Sequence, residues 1–280
     1  MGLMTGRAKF DLISAAAFVT AEIILGYLLQ VSPSPDHTYY KFASVLLALL
    51  FSLIQFRFRS ESLFVVIGLL FTVFADWYLV MCDPMMQLEG MVFFCFTQTC
   101  YGALLFVRHR KRSSFISHFL VRTVSCLIAI TATVAVLGDG ADALSIVSMF
   151  YYANLILNVI IALIQIRRSV IFPIALLLFL ACDTVIGLSV MASSYLDNAV
   201  VSAILAAIRG MEFDVAWAFY LPSQMLIPLA MMEMCRKEKN YLKHRLIQRR
   251  SLWKDTLGTP RYAKECSMSI SSATIIYGRK

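Results

Sequence analysis

Two aspartates stand within otherwise apolar stretches of this sequence. Asp76 lies in VVIGLLFTVFADWYLV and Asp183 lies in FPIALLLFLACDTVIGLSV. A carboxylate in hydrocarbon costs roughly 2.5–3.5 kcal/mol on insertion scales, so an intramembrane carboxylate is by default a candidate functional residue. A desolvated carboxyl beside a second one can keep its proton at neutral pH, so that one acts as a general acid while the other stays ionised. The alternative is that each aspartate hydrogen-bonds a neighbouring helix and holds the bundle together.

Other polar side chains recur in the apolar stretches. Each group can line a polar cavity or hydrogen-bond between helices. They are Gln98 with Tyr101, Asn154 with Asn158 behind Tyr151 and Tyr152, and Tyr220 with Gln224 around Pro222. Glu22 is a third carboxylate in an apolar stretch. Lys41 falls at the outer edge of one, where it can pair with an intramembrane aspartate, clamp a lipid phosphate or extend to the interface.

The composition is that of a membrane protein with many spans. Of the 280 residues, 60% are hydrophobic and only 15% are charged, and the mean hydropathy is +0.75. Lipid offers the backbone no hydrogen bonds, so each apolar stretch must form a helix. The predicted fold class is therefore all-α, a polytopic transmembrane helical bundle.

The sequence lacks the residues that several kinds of chemistry require. The seven cysteines show no C-x-x-C spacing, and the histidines lie at or near loops, which argues against a metal site. The sequence has no G-x-S-x-G elbow, no phosphate-binding P-loop and no H-E-x-x-H element. The net charge of +8 comes mainly from loops and the tail, as membrane topology requires, and does not predict nucleic-acid binding.

Eight stretches have the length of about 20 residues that a bilayer requires. They cover residues 10–30, 39–56, 62–82, 88–107, 115–137, 145–166, 170–192 and 214–235. Turn sequences separate several of them, among them Asp83-Pro84 and Gly138-Asp139-Gly140. The segment 199–208 is too short to span, so we expect a surface or re-entrant helix, or an early start of the eighth helix.

Basic residues fall mainly in alternate connections and in the tail from Arg236, whereas the intervening connections carry mainly acidic residues. The positive-inside rule then places both termini in the cytoplasm. At ~1.5 Å per helical residue, Asp76 and Asp183 lie roughly 20 Å from the cytoplasmic ends, in the outer half of the bilayer. The sequence predicts an eight-helix membrane domain, 1–235, and a basic cytoplasmic tail, 236–280. We expect the tail to begin as a helix along the anionic leaflet, or as an ordinary positive stop signal, and to end in a disordered segment.

Several short sequence elements follow one another along the predicted helices. They are Gly68 followed by Asp76-Trp77-Tyr78-Leu79, then Gly90, Phe94, Gln98 and Tyr101, then Phe179 to Asp183, then Tyr220 and Gln224, with Lys41 opening the second helix. Their order and spacing over about residues 10–235 resemble the YhhN-type lysoplasmalogenase family of eight-helix membrane proteins. The family elements are G-D-x-x-L, G-x3-F-x3-H-x2-Y, F-x-x-S-D, Y-x3-Q and K-P. The chain departs from them at four positions: Ala75 replaces a glycine, Cys182 a serine, Gln98 a histidine and Phe42 a proline.

The resemblance implies hydrolysis of the vinyl ether bond of lysoplasmalogens to a fatty aldehyde and a glycerophospho-base. This chemistry needs one carboxyl to protonate the β-carbon and one carboxylate to assist water, as in glycoside hydrolysis. The catalytic pair would be Asp76 and Asp183. The substrate-binding residues would be Lys41, Gln98, Tyr101, Asn154, Tyr220 and Gln224. The partners are then a lysophospholipid and the bilayer, with no metal or cofactor required.

Two other functions remain open. Gln98 in place of a histidine motivates a catalytically inactive relative that binds lipid, and a proton-coupled carrier of lipids or small molecules would use the same carboxylates. An intramembrane aspartyl protease is disfavoured, because Phe74-Ala75 precedes Asp76 where a G-x-G-D element is required. We expect the endoplasmic reticulum or another endomembrane in a eukaryote and the inner membrane in a bacterium. A homo-oligomer is compatible with the sequence.

Overall fold

The computed structural model describes residues 6–31, 37–107, 113–194, 203–204, 206–208, 210–211 and 213–256. These residues form helices, turns and bends, with no β-strand among them. Eight of the described helices are long and apolar enough to cross a membrane. The prediction of an all-α, multi-pass membrane bundle is therefore confirmed, whereas the cytoplasmic placement of the termini stays a prediction.

Each predicted stretch corresponds to one helix. The helices are α1 (Gly6–Val31), α2 (His37–Ile54), α3 (Ser60–Asp76), α4 (Gln87–Val107), α5 (Ser113–Leu137), α6 (Ala143–Ile164), α7 (Ile171–Ser194) and α8 (Val215–Thr256). Most boundaries differ from the predicted ones by a few residues, while α8 continues well past its predicted end. Of the segment 199–208, half lies outside the described residues, and its predicted role stays open.

Local sequence accounts for several helix ends. Asp142 begins α6 with a capping box, because its Oδ1 accepts from the backbone N–H of Ser145 at 2.8 Å and its own N–H donates to Ser145 Oγ at 3.0 Å. Gly138, with a positive φ of 54°, begins a short 3₁₀ turn after α5. Helix α3 does not stop at Asp76 but continues into a π-helical turn, Trp77–Met81.

Helices α4 and α6 form the centre of the bundle. Helix α4 packs against α3 and α6, and α6 also packs against α5 and α7. Fully buried apolar side chains come from all of α3, α4, α6 and α7, including Leu69, Leu104, Leu155 and Phe179. The helices that carry the two aspartates, α3 and α7, therefore flank this central pair.

The chain divides into two compact units, Met1–Cys235 and Arg236–Lys280. In the second unit the described residues continue α8 as helix to Thr256, which confirms the predicted helical start of the tail. Its contact with a leaflet stays a prediction. The predicted disorder concerns residues beyond 256 and lies outside the described residues.

Candidate functional site

Asp76 lies at the end of α3 and is buried, with 3% of its surface exposed. Its Oδ2 accepts a hydrogen bond of 2.6 Å from the Tyr220 hydroxyl of α8. Small residues bring α4 close to this point: a Cβ at Gly90 would lie 2.5 Å from Leu79 Cγ and 3.2 Å from the Ala75 carbonyl oxygen. The missing side chain at Gly90 thus allows α3 and α4 to approach each other next to the first aspartate.

Asp183 in α7 is only partly buried and accepts a hydrogen bond from the Tyr151 hydroxyl of α6. The next pair in both helices is also joined, since the Tyr152 hydroxyl and Thr184 Oγ1 are 2.7 Å apart. Two successive tyrosines of α6 therefore contact two successive residues of α7. The rotation of α7 that presents Asp183 to the bundle is held by both contacts.

The two carboxyls, Asp76 and Asp183, lie in one region of the bundle, which is called the compartment below. They interact electrostatically, and an aromatic wall connects their tyrosines. Ring centroids are 5.6 Å apart for Phe94 and Tyr151, 5.7 Å for Phe94 and Phe179, and 5.4 Å for Phe179 and Tyr220. Helical rise places Asp76 ~24 Å from the start of α3 and Asp183 ~18 Å from the start of α7, a difference of about one helical turn. The arrangement is two tyrosine-bound carboxyls, one buried and one partly buried, along an apolar aromatic surface.

Lys41 lies beside this compartment at the start of α2. Its Nζ pairs with Asp214 Oδ2 at 2.9 Å and lies 5.0 Å from the centroid of the Trp217 ring. The alternative that Lys41 pairs with Asp76 or Asp183 is therefore wrong. An ammonium at a helix end stays near water when it pairs with Asp214 at the start of α8, and it avoids the cost of entering hydrocarbon. The Trp217 ring in turn packs against the Tyr220 ring, with ring centroids 4.8 Å apart.

Asn154 and Gln98 belong to a second polar cluster that hydrogen-bonds between helices, one of the two interpretations that the sequence left open. Arg122 of α5 donates to Asn154 Oδ1 at 2.6 Å and to Asn158 Oδ1 at 2.7 Å. Asn158 Nδ2 in turn donates to the backbone oxygen and to Oε1 of Gln98, at 2.8 and 2.9 Å. A Cβ at Gly102 would lie 2.6 Å from an Arg122 guanidinium nitrogen, so this glycine makes room for the cation.

Arg122 is the residue whose role sequence reasoning missed. It lies within the predicted fifth stretch, 115–137, where extension of the side chain to the interface is the ordinary interpretation. The available signal was the pair Asn154 and Asn158, one turn apart on α6 and suited to bind one guanidinium with two carbonyl oxygens.

The other predicted site residues lie in the core. The Tyr101 ring is fully buried, and its hydroxyl lies next to Thr72 without a well-formed hydrogen bond among the described residues. Gln224 is fully buried and its Nε2 donates to Ser223 Oγ at 3.2 Å. Glu22, also buried, accepts a hydrogen bond of 2.6 Å from Ser44. The described part of the chain brings no three His, Cys, Asp or Glu side chains together as a metal site.

Comparison with known proteins supports the resemblance. The family model described as the YhhN family matches residues 37–231. The match runs from α2 into α8 and includes every sequence element on which the resemblance rests, whereas the resemblance before residue 37 stays a prediction. No curated protein and no solved structure matches the chain. The family model covers well over half of the sequence, and the chain belongs to the YhhN family.

Proposed function

We propose that this protein hydrolyses the vinyl ether bond of lysoplasmalogens, releasing a fatty aldehyde and a glycerophospho-base. One observation carries the proposal: two intramembrane carboxyls, each bound by a tyrosine, interact across a shared aromatic surface. Membership of the YhhN family supports the same general activity. We take the termini as cytoplasmic, which puts both carboxyls in the outer half of the bilayer.

The difference in burial suggests how the two carboxyls divide the work. Asp76 is buried, and Tyr220 binds one of its oxygens, which leaves the second oxygen to carry a proton. Asp183 is only partly buried, and in this proposal water approaches it there. Asp76 therefore acts as the general acid and Asp183 as the general base, the two roles that hydrolysis through an oxocarbenium ion requires.

The reaction then proceeds in three steps. The Asp76 carboxyl gives its proton to the β-carbon of the vinyl ether, which leaves an oxocarbenium ion at the α-carbon. Asp183 removes a proton from a water molecule as the water oxygen bonds to that α-carbon. The resulting hemiacetal breaks its bond to the glycerol oxygen, which takes the proton from Asp183, while the hemiacetal hydroxyl returns a proton to Asp76 and the aldehyde leaves. No net oxidation or reduction occurs.

The remaining predicted residues divide between the substrate and the scaffold. Lys41 lies towards the outer end of the bundle, where a lysolipid phosphate would sit above the reacting bond. Tyr220 orients Asp76. Gln98 and Asn154 bind within the Arg122 cluster, so in this proposal they support the bundle. Glutamine at position 98, where the family has histidine, then affects the protein through that cluster.

The test is aldehyde release from lysoplasmenylethanolamine by the purified protein in micelles. Asp76→Asn and Asp183→Asn should each abolish release while the variants remain folded. The matched control is Asp139→Asn, the same chemical change at an exposed position in the turn after α5, and it should retain wild-type activity. Saturated lysophosphatidylethanolamine, which lacks the vinyl ether, should give no product.

The alternatives predict different outcomes. A carrier would move its substrate across proteoliposomes, dependent on both aspartates, without aldehyde. An inactive lipid-binding relative would bind lysoplasmalogen and release nothing. Absence of aldehyde from well-folded wild-type protein would overturn the hydrolase proposal.

A further inference from the structure

A partly exposed group of opposite charges lies at the outer side of the compartment. The Lys41 and Asp214 side chains form an ion pair of 2.9 Å and are 20% and 40% exposed. Asp214 is held in place because its Oδ1 accepts from the backbone N–H of Trp217 at 3.3 Å, as an N-cap of α8. Its Oδ2 is thereby presented to Lys41.

This group already contains the parts of an ammonium site. The Lys41 ammonium lies between a carboxylate oxygen and the face of an indole ring, 5.0 Å from the ring centroid. A carboxylate and an aromatic face are the two groups that bind alkylammonium ligands best. The lysine of the protein thus occupies a place that a ligand ammonium can take.

Opening the pair requires little, since partly exposed ion pairs contribute little to stability. Once a ligand ammonium takes the place of Nζ, the charge of Lys41 is free for an anion close by. A ligand that carries an ammonium and a phosphate a few bonds apart satisfies both groups together. A ligand with only one of these charges leaves either Asp214 or Lys41 without its partner.

We propose that Lys41, Asp214 and Trp217 form a subsite for the zwitterionic headgroup of a lysophospholipid, in which Asp214 and Trp217 bind the ammonium and Lys41 binds the phosphate. The subsite deepens the proposed function and rests on it for the identity of the lipid. Its position agrees with that substrate, because Trp217 contacts Tyr220 and Tyr220 binds Asp76. A headgroup held there places the glycerol end of the chain towards the carboxyls.

The test measures binding and does not depend on hydrolysis. Purified wild-type protein in micelles is titrated with saturated ether lysolipids that have no vinyl ether, and affinity is read from tryptophan fluorescence. The ligands are 1-alkyl lysophosphatidylethanolamine and lysophosphatidylcholine, the alkyl lysophosphatidic acid that lacks the amine, and soluble glycerophosphoethanolamine that lacks the chain.

We expect the wild-type protein to bind both zwitterionic lipids at least tenfold more tightly than the lysophosphatidic acid. Asp214→Asn keeps an oxygen for the N-cap but removes the charge, and it should lower the affinity for the zwitterions about tenfold while the lysophosphatidic acid binds as well as before or better. Lys41→Gln should weaken every lipid phosphate ligand. Asp139→Asn serves as the control with unchanged affinities.

Three results would overturn the subsite. One is equal weakening of all ligands by Asp214→Asn, which indicates a structural role. Another is equal wild-type affinity for zwitterions and lysophosphatidic acid, and the third is binding of glycerophosphoethanolamine as tightly as of the lipids. If Asp214→Asn fails to fold, Trp217→Leu must lower the affinity for lysophosphatidylcholine selectively. Selective headgroup binding without aldehyde release would leave the subsite standing and refute the hydrolase, so the two failures are distinguishable.

Discussion

Replacing Gly68 by alanine tests the contact between α3 and α4 on which the site depends. A Cβ at this position would lie 2.6 Å from Cε1 and 3.1 Å from Cδ1 of the Tyr101 ring. The ring cannot easily retreat, because it is fully buried and its edge packs against Phe172 at a centroid distance of 5.8 Å. The added methyl group must therefore push α3 and α4 apart or strain the tyrosine.

The magnitude follows from two opposing effects. Alanine in place of glycine favours a helix by about 1 kcal/mol, and overpacking a core costs about 1–3 kcal/mol. Gly187 in α7 provides a matched control, since a Cβ there would meet nothing within 4 Å. Gly187→Ala therefore shows the helix effect alone, and the difference between the two variants gives the overpacking cost, about 1–3 kcal/mol.

The assay is equilibrium unfolding of both purified variants in mixed micelles, with the free energy of unfolding compared with wild type. Gly68→Ala should be the less stable variant by that difference. Tyr101→Leu removes the ring, so Gly68→Ala should cost less stability in that background than in wild type. A double-mutant cycle should give an interaction energy of about 0.5–3 kcal/mol. Equal stability of Gly68→Ala and Gly187→Ala would refute the reasoning, since it would mean that α3 and α4 do not touch here.

Three further predictions concern single polar contacts. Tyr220→Phe removes the donor to Asp76 and should lower kcat/KM for aldehyde release about 10–100-fold, because the carboxylate that forms as Asp76 gives up its proton loses a charged hydrogen bond of about 1.5–3 kcal/mol. Arg122→Lys cannot contact both asparagines of α6 with one planar group, and it should lower the free energy of unfolding by about 0.6–1.7 kcal/mol, the average and upper values for such contacts in membranes. The hydrogen bonds from the side chain and backbone of Ser145 lower the pKa of Asp142, so the cap should stabilise α6 above the ordinary aspartate pKa and lose its effect as the pH falls through the lowered value.

Each of these has its own control. The Tyr220→Phe variant must keep a melting temperature near that of wild type. An unchanged kcat/KM would show that the Tyr220 hydroxyl takes no part in the mechanism. An Arg122→Lys variant as stable as wild type would show that the cluster does not depend on bidentate binding. Asp142→Asn keeps a capping oxygen and cannot titrate, so a variant that loses stability in acid as steeply as wild type would assign the acid effect to another group.

The number and order of the helices could be predicted because lipid imposes two conditions on each stretch separately. A segment in hydrocarbon must close its own backbone hydrogen bonds and must be about 20 residues long. Both properties are local, so the eight helices and the depth of Asp76 and Asp183 follow from hydropathy and helical rise. The same local reasoning marked the intramembrane carboxylates as costly.

The partners of these residues could not be predicted in the same way. A membrane helix is apolar on its lipid face and on its packed face, so hydrophobic periodicity gives little information on which side meets which neighbour. Lys41 shows the consequence: the sequence offered pairing with an intramembrane aspartate, and the fold pairs it with Asp214. Arg122 shows it again, since only the approach of α4, α5 and α6 brings a single cation onto Asn158.

The sequence by itself thus determined an eight-helix membrane protein with two carboxyls inside its spans, because hydropathy and backbone satisfaction act along the chain. Tertiary structure alone decided that Tyr220 binds Asp76 and Tyr151 binds Asp183. It also decided that Gln98 belongs to the Arg122 cluster. These contacts join residues far apart in the chain, and they depend on how each helix is rotated and which small residues let its neighbours approach.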